Sequence, residues 1–339
     1  MPESNMKKKI VIIKLGAKGD VVRTLSLLLG IKEKYPNSEI TWITKPNALE
    51  IIEQSPYVDK VFTLPYKPVE EFDILYNFDV DSDATSLANG ISAKEKYGFY
   101  SEDDFPAAFN FPAEYYLNTL FDDELKKSNK KTYQEMMFKA AELPYNKQHH
   151  PIQLKEQHKK YADDFILENN INSDKLVGIH LGASPRWPSK KWHPNNLKEF
   201  VREIAKQGKE VLLFAGPNEP KEQEEIFREL KDEGIKIHKN NPVNSDLEFA
   251  SLVDQCSSMI CSDSLAMHVA LALKKPTIGL FFCTSPHEVE DYSGLLKKVV
   301  SPNLMEFFPH KMDQYSENLV KSISAEEVSK ALESLDRDE

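Results

Sequence analysis

Short apolar runs rich in β-branched residues alternate with stretches of helical period twice along the chain, once before residue 90 and again after residue 176. Lys9-Ile10-Val11-Ile12-Ile13-Lys14-Leu15 has no polar face, as expected of a strand covered on both sides in a parallel sheet. It ends at Gly16-Ala17-Lys18-Gly19, and Asp20 opens a helical pattern over 21–34 that stops before Pro36. Residues 40–44, 58–64 and 72–77 read as further strands, with helices at 47–54 and from about Asp83. The second half repeats the theme, with strands at 176–181, 210–214, 259–261 and 277–282. Its helices fall at 195–207, 219–232, 247–255, 265–273 and 325–335. Such alternation predicts an α/β fold of doubly wound sheets with right-handed crossovers. Two such domains facing across a cleft would carry ligands at the carboxyl ends of their strands.

A length of 339 residues suits two domains better than one core. Between them, 101–145 carries many aromatics and few strand patterns, with one helix over 133–143, and the polar segment 146–160 with His149-His150-Pro151 reads as the connection. Hydrophobic residues at 40% and charged residues at 29% place the chain among folded globular proteins. A net charge of −11 argues against nucleic acid as a partner. Cys256, Cys261 and Cys283 have neither metal-ligand spacing nor an even count, which suits a reducing cytoplasm. The apolar stretch 10–13 is too short for a signal peptide, and His268, Lys274 and Lys275 interrupt the one at 265–282. The expectation is a soluble cytoplasmic protein, with peripheral contact at a membrane surface left open.

Four loops after predicted strands hold small residues, donors and a few charges. In Gly16-Ala17-Lys18-Gly19-Asp20 the glycines let backbone N–H groups approach a ligand, and a helix start favours anions. The spacing matches neither a dinucleotide fingerprint nor a P-loop. Asp20 reads as a helix N-cap or a general base, and both can hold; a base there would be weak and act late in the transition state. The second loop, Gly182-Ala183-Ser184 to Lys190-Lys191-Trp192, offers Ser184, Lys190 and Lys191 to an anion such as a diphosphate, or is a solvated basic turn. In the third, Glu219 either accepts from ribose hydroxyls or complements a helix dipole. The fourth, Cys261-Ser262-Asp263-Ser264-Leu265-Ala266-Met267-His268, joins a strand end to a helix start, with His268 one turn in.

Asp79-x-Asp81-x-Asp83 imitates the start of a calcium loop, but Ala84 stands where the turn needs glycine and Gly90 where the bidentate glutamate belongs. Asp81-Ser82-Asp83 imitates a metal–nucleotide triplet, a frequent coincidence in a chain with 54 acidic residues, so no metal site is expected. The aromatics Phe105, Phe109, Phe111, Tyr115, Tyr116 and Phe121 are expected to be mostly packed core, with a lid or membrane edge as the other reading.

Taken together the loops resemble glycosyltransferase family 9, the lipopolysaccharide heptosyltransferase family. The resemblance rests on Ile12-Ile13-Lys14-Leu15-Gly16-Ala17-Lys18-Gly19-Asp20-Val21-Val22-Arg23-Thr24-Leu25, Gly182-Ala183-Ser184 with Lys190-x-Trp192, and Gly216-Pro217-Asn218-Glu219. Asp263-Ser264-x-x-Met267-His268-x-Ala270 and Thr284-Ser285-Pro286 complete it, in order over roughly residues 8–290. It implies a GT-B fold of two Rossmann-like domains: an acceptor-side domain at 1–155, a nucleotide-sugar domain at 156–322, and a C-terminal helix at 323–339 near the junction. It further implies an inverting transfer, without metal or other cofactor, from an ADP-linked heptose to a surface-glycan or glycolipid acceptor. Asp20 would be the base. Ser184, Lys190, Asp263, Ser264, Leu265 and His268 would line the donor's diphosphate and Glu219 its ribose, with Lys18, Gly19, Asp79 and Asp81 on the acceptor side.

This chain departs from that pattern in three places. Leu265 replaces a glycine next to the phosphate, bringing bulk and a residue strained at positive φ. Phe282-Cys283 replaces a Gly-Pro pair, and Asn77-Phe78-Asp79-Val80-Asp81-Ser82-Asp83 replaces an Asp-Leu-x-Gly stretch with a nearby basic residue. Three carboxylates there would repel an acidic Kdo–lipid A acceptor, which favours a neutral glycan or another glycolipid. Another nucleotide-sugar, or a non-catalytic binding role, are the alternatives these departures raise.

Overall fold

The computed structural model describes residues 7–67, 70–149 and 152–338, with side chains to 335. His150 and Pro151 of the predicted connection lie outside the described residues. The chain divides into two compact units, Met1–Gln153 with His287–Glu290, and Leu154–Pro286 with Asp291–Glu339.

In the first unit the strands are β1 (Lys8–Ile13), β2 (Ser38–Thr44), β3 (Lys60–Thr63), β4 (Phe72–Asn77), β5 (Ala93–Glu102) and β6 (Phe105–Ala108). They form one sheet in the order β3-β2-β1-β4-β5-β6. All neighbours run parallel except β5 and β6, which form an antiparallel hairpin. Val11 of β1 stands opposite Thr41 on one side and Leu75 on the other, and Val11, Ile13, Leu15, Ile43 and Leu75 share one core. The helices are α1 (Lys18–Thr24), α2 (Ser26–Lys34), α3 (Leu49–Glu53), α4 (Ser82–Gly90), α5 (Phe111–Phe121), α6 (Asp123–Ser128) and α7 (Tyr133–Ala140).

The second unit repeats the arrangement. Its strands β7 (Leu176–His180), β8 (Glu210–Phe214), β9 (Ile237–Lys239), β10 (Ser258–Ser262), β11 (Thr277–Phe281) and β12 (Leu296–Val300) are ordered β12-β11-β10-β7-β8-β9 and all parallel. Around them lie α8 (Glu156–Glu168), α9 (Pro194–Lys206), α10 (Pro220–Asp232), α11 (Asp246–Asp254), α12 (Leu265–Ala272), α13 (Leu304–Phe307), α14 (Glu317–Val320) and α15 (Ala325–Asp338). The closing helix α15 packs on α9 and beside β11 and β12 of its own unit. In both sheets the order reverses next to the first strand of the unit, the crevice where open α/β sheets take ligands.

Several elements differ from the sequence expectation. The helical pattern at 21–34 is two helices meeting at Leu25, whose N–H reaches the carbonyls of both Val21 and Val22. The first begins at Lys18 with Ala17 at the N-cap, so Asp20 is the third helical residue rather than the cap. Strands β5, β6, β9 and β12 were not anticipated. They are half-exposed, and Ala-Lys-Glu-Lys-Tyr or Leu-Lys-Lys-Val-Val lacks the continuous apolar run of a doubly covered strand. The aromatic stretch is not mainly core either: Phe105, Phe111 and Phe121 are 73%, 82% and 69% exposed. Tyr133, Met136, Met137 and Phe138 of α7 are buried there instead. No helix among the described residues is long and apolar enough to cross a membrane.

Candidate functional site

In the first unit the loop after β1 is built around a buried ion pair. Lys14, directly after β1, is 3% exposed, and its ammonium donates to the Phe78 carbonyl at 3.0 Å and lies 3.5 Å from Asp79 Oδ2. The same Asp79 oxygen accepts the backbone N–H groups of Leu15 and Gly16 at 2.8 and 2.6 Å. Burial opposes the charge on Lys14, but Asp79, Tyr133 and Asp20 outweigh it and hold the ammonium's pKa above the usual lysine value. Asp79 is thus turned inward as the anchor of this loop. Asp81 and Asp83 are exposed at the start of α4.

Asp20 lies beside this anchor, its Oδ1 2.8 Å from Nη2 of Arg23. The Arg23 guanidinium stacks 3.8 Å over the ring of Tyr133. Tyr133 meets Thr24 Oγ1 at 2.9 Å, and that hydroxyl donates to the Asp20 carbonyl at 2.6 Å. Lys18 and Gly19 are the first two residues of the same helix and half-buried.

In the second unit three strand ends converge. Lys190 Nζ reaches the carbonyl and Oδ2 of Asp263 at 3.0 and 2.9 Å, and His268 Nε2 lies 3.7 Å from the other Asp263 oxygen. Ser264 stands at the N-cap of α12 with its hydroxyl buried and without a hydrogen-bond partner among the described residues. Thr284 Oγ1, beyond β11, is in the same condition. Leu265 is the first helical residue of α12 and is absent from the positive-φ residues, so the backbone strain expected of it does not arise. Phe282 and Cys283 are buried, 1% and 0% exposed.

Glu219, 5% exposed, sits against two glycines. Gly216 N–H donates to its Oε2 at 3.3 Å, and Lys191 Nζ is 3.4 Å from Oε1 while bonding Glu222 at 2.8 Å. His180, at the end of β7, is bound to the Gly182 backbone, and burial pushes its pKa down to about 4, so the ring is neutral at ordinary pH. Ser184 stays exposed on its loop, accepting from the Arg186 N–H at 3.4 Å.

The structure therefore joins Lys190, Asp263 and His268 directly, places Ser264 at their helix start, and gathers Glu219 with Lys191. Ser184 stands exposed on its own loop, and Asp79 is buried while Asp81 is exposed. Lys14, Arg23, Tyr133 and His180 were given no role from sequence alone. A lysine inside a strand that is otherwise buried was a readable signal for Lys14, because a buried ammonium requires a carboxylate partner.

The profile of glycosyltransferase family 9 (heptosyltransferase) matches residues 69–316. A lipopolysaccharide heptosyltransferase 1 of Campylobacter coli is 23% identical over 98% of this chain and 100% of its own length. The crystal structure of a family 9 glycosyl transferase from Veillonella parvula superposes with a TM-score of 0.78 at 18% identity, over 99% of this chain and 100% of that one. The ADP-heptose lipopolysaccharide heptosyltransferase II of E. coli gives 0.70 at 17%, over 97% and 98%. These likenesses show the GT-B fold class of two Rossmann-like units. With a profile match over most of its length, the chain belongs to glycosyltransferase family 9, the heptosyltransferase family.

Proposed function

We propose that this glycosyltransferase moves a heptose-like sugar from an ADP-linked donor to a surface-glycan or glycolipid acceptor in lipopolysaccharide-type assembly, inverting the anomeric centre without a metal ion. The observation that carries the reading is the Lys190–Asp263–His268 cluster with the unpartnered Ser264 hydroxyl at the start of α12. A buried hydroxyl without a partner costs stability, which favours a ligand that supplies one. A helix N-terminus and a lysine beside it suit a diphosphate. The names of its relatives, an ADP-heptose lipopolysaccharide heptosyltransferase among them, agree with that donor and setting.

In this reading the acceptor hydroxyl attacks the anomeric carbon from the face opposite the leaving group. Its oxygen–carbon bond forms as the bond to the diphosphate breaks, its proton passes to the Asp20 carboxylate, and the nucleoside diphosphate departs. Lys190, the N–H groups at the start of α12 and Ser264 stabilise the charge that grows on the leaving phosphate. Asp263 aligns Lys190 and His268, and Glu219 accepts from the ribose hydroxyls. The proposed setting is the cytoplasm, with peripheral contact at the inner face of the membrane where a lipid-linked acceptor would be met.

Thermal unfolding with ADP, GDP, UDP, CMP and TDP, each with and without chelator, tests the donor side. A ligand at ~100 times its Kd adds about 2.7 kcal/mol. A selective shift with ADP that survives chelation supports the reading, and a chelator-sensitive shift removes its metal-free part. Leu265 favours a second reading, the same transfer from another nucleotide-sugar, and a selective shift with a different nucleotide would establish that. No shift with any of them would favour a non-catalytic relative. Transfer retained in Asp20→Asn would remove Asp20 as base.

A further inference from the structure

Arg23 has more contacts than an ordinary surface i,i+3 partner needs. Its side chain is 15% exposed, against 36% for Asp20. One edge of the guanidinium meets Asp20 Oδ1 at 2.8 Å, and its face lies 3.8 Å from the centre of the Tyr133 ring. The ring is fixed in turn. Tyr116 meets it edge-on at 5.9 Å and 81°. Because the single Thr24 hydroxyl proton goes to the Asp20 carbonyl, the Tyr133 hydroxyl is the donor in its 2.9 Å bond to Thr24. The contacts close a circuit: Asp20 carboxylate, Arg23, the Tyr133 ring, its hydroxyl, Thr24, and back to the Asp20 backbone.

We propose that Arg23 is the positioning residue of Asp20, clamped between the carboxylate and the Tyr133 ring so that the carboxylate is held ionised and in one orientation. The inference rests on Asp20 being the base. A half-exposed ion pair adds little to stability, so so elaborate a mounting is better explained by what it does to the carboxylate. Stacking removes the rotamer freedom that an arginine normally keeps, and the planar fork then presents one edge in a fixed direction. A carboxylate held in this way discharges an acquired proton readily, which suits a base that must be reset at each turnover.

Charged and titratable groups approach Asp20 from its own helix and from the elements packed on it. Lys18 and Arg23 share its helix, Lys14 just after β1 and the Tyr116 phenol on α5 interact with its charge, and α7 brings Tyr133, which acts through Arg23, with Glu135 and Lys139 further along. The three-residue turn at Pro46–Ala48 that packs on α1 carries no titratable side chain, and α2 brings Lys32, Glu33 and Lys34 only near its far end. Lys14 is already committed to Asp79. Arg23 meets the Asp20 carboxylate directly, at 2.8 Å, and is the partner whose substitution the test addresses.

The test reads the carboxyl itself. Carbon-13 NMR of the full chain with labelled aspartate, titrated without substrate and assigned through Asp20→Asn, gives the Asp20 midpoint. In Arg23→Gln it should rise by about one pH unit or more, and in Arg23→Lys, which keeps the charge but loses fork and stacking, by less. Tyr133→Leu should raise it too, with Tyr133→Phe closer to the parent. The acid limb of kcat should move in the same direction. An unmoved midpoint in Arg23→Gln overturns the proposal, even if acceptor KM rises, since Arg23 would then be an acceptor contact. Should Arg23→Gln not fold, Arg23→Lys and Tyr133→Leu decide the matter by the same criterion. Transfer retained in Asp20→Asn is a separate failure, that of the base, and would leave the clamp without a catalytic role whatever the titration showed.

Discussion

The carboxylate of Glu219 packs directly onto the backbone of Gly182: a Cβ at that position would stand 2.8 Å from Glu219 Oε2 and 2.9 Å from His180 Cε1. Two side chains from different strand ends occupy the space a side chain at 182 would need. Gly182→Ala should therefore push Glu219 aside at a cost of about 1–3 kcal/mol, the usual range for an overpacked site. Nucleotide affinity should fall with it, and Glu219→Gln should lower affinity without the stability loss. Paired urea unfolding and ADP titration calorimetry separate the two; unchanged affinity in both variants would remove Glu219 from the donor site.

Ser264 yields an opposite signature. Its buried hydroxyl has no hydrogen-bond partner among the described residues, so Ser264→Ala relieves a desolvation cost. The unliganded protein should be unchanged or more stable by up to about 1 kcal/mol, while ADP affinity drops by roughly the 0.5–1.5 kcal/mol of one hydrogen bond. Melting curves with and without ADP read both quantities. A variant that is less stable and binds equally well would mean that the hydroxyl is structural.

What the sequence made legible follows the burial of each element. Strands β1, β4, β7, β8, β10 and β11 carry continuous apolar runs, because helices cover both faces of a parallel sheet, and their positions could be read to within a residue or two. The edge strands β9 and β12 and the β5–β6 hairpin mix lysines and glutamates into their runs, so periodicity was silent. Lys190 and Asp263 are identifiable because each follows a strand in a loop of donors, and His268 because it lies one turn into the helix that the second of these loops opens. The mounting of Asp20 was not. Setting the helix start at Asp20 rather than Lys18 hid the i,i+3 relation to Arg23, and Tyr133 is more than a hundred residues away in sequence. The same distance problem concealed Lys14–Asp79, where three acidic residues in a row looked alike until the fold turned one inward.

That pair should be costly to break from one side. Asp79→Ala leaves a buried ammonium without its carboxylate and two loop N–H groups without their acceptor, a loss of about 3–5 kcal/mol. Replacing both residues by apolar ones, Lys14→Met with Asp79→Leu, should recover part of the loss by removing the unpaired charge. Urea midpoints of the single and double variants check this; additive losses would mean that the two groups do not interact.

His180 predicts the direction of pH dependence. Its folded pKa of about 4 lies below the unfolded value of 6.5, so between these limits the unfolded chain binds the extra proton. Stability should therefore rise as pH increases from 4 to 6.5, by no more than roughly 3 to 4 kcal/mol from this group at ~1.4 kcal/mol per unit. His180→Gln should flatten that part of the curve. A slope unchanged by the substitution would assign the acid sensitivity to other groups.

The acceptor side can be tested through charge. With Asp79 paired to Lys14, the exposed carboxylates after β4 are Asp81 and Asp83, which the proposed acceptor assignment would set against the acceptor. Exposed charges discriminate by steering and repulsion rather than by desolvation, so their effect should appear mainly in kcat/KM at low salt and fade as salt rises. Asp81→Lys with Asp83→Lys should raise kcat/KM for a phosphorylated acidic acceptor relative to a neutral glycan, by roughly tenfold if the two charges act together. Nucleotide binding, proposed for the other unit, should be untouched, which makes it the internal control. The same ratio between acidic and neutral acceptors in parent and variant, at every salt concentration, would mean that these two residues only begin a helix.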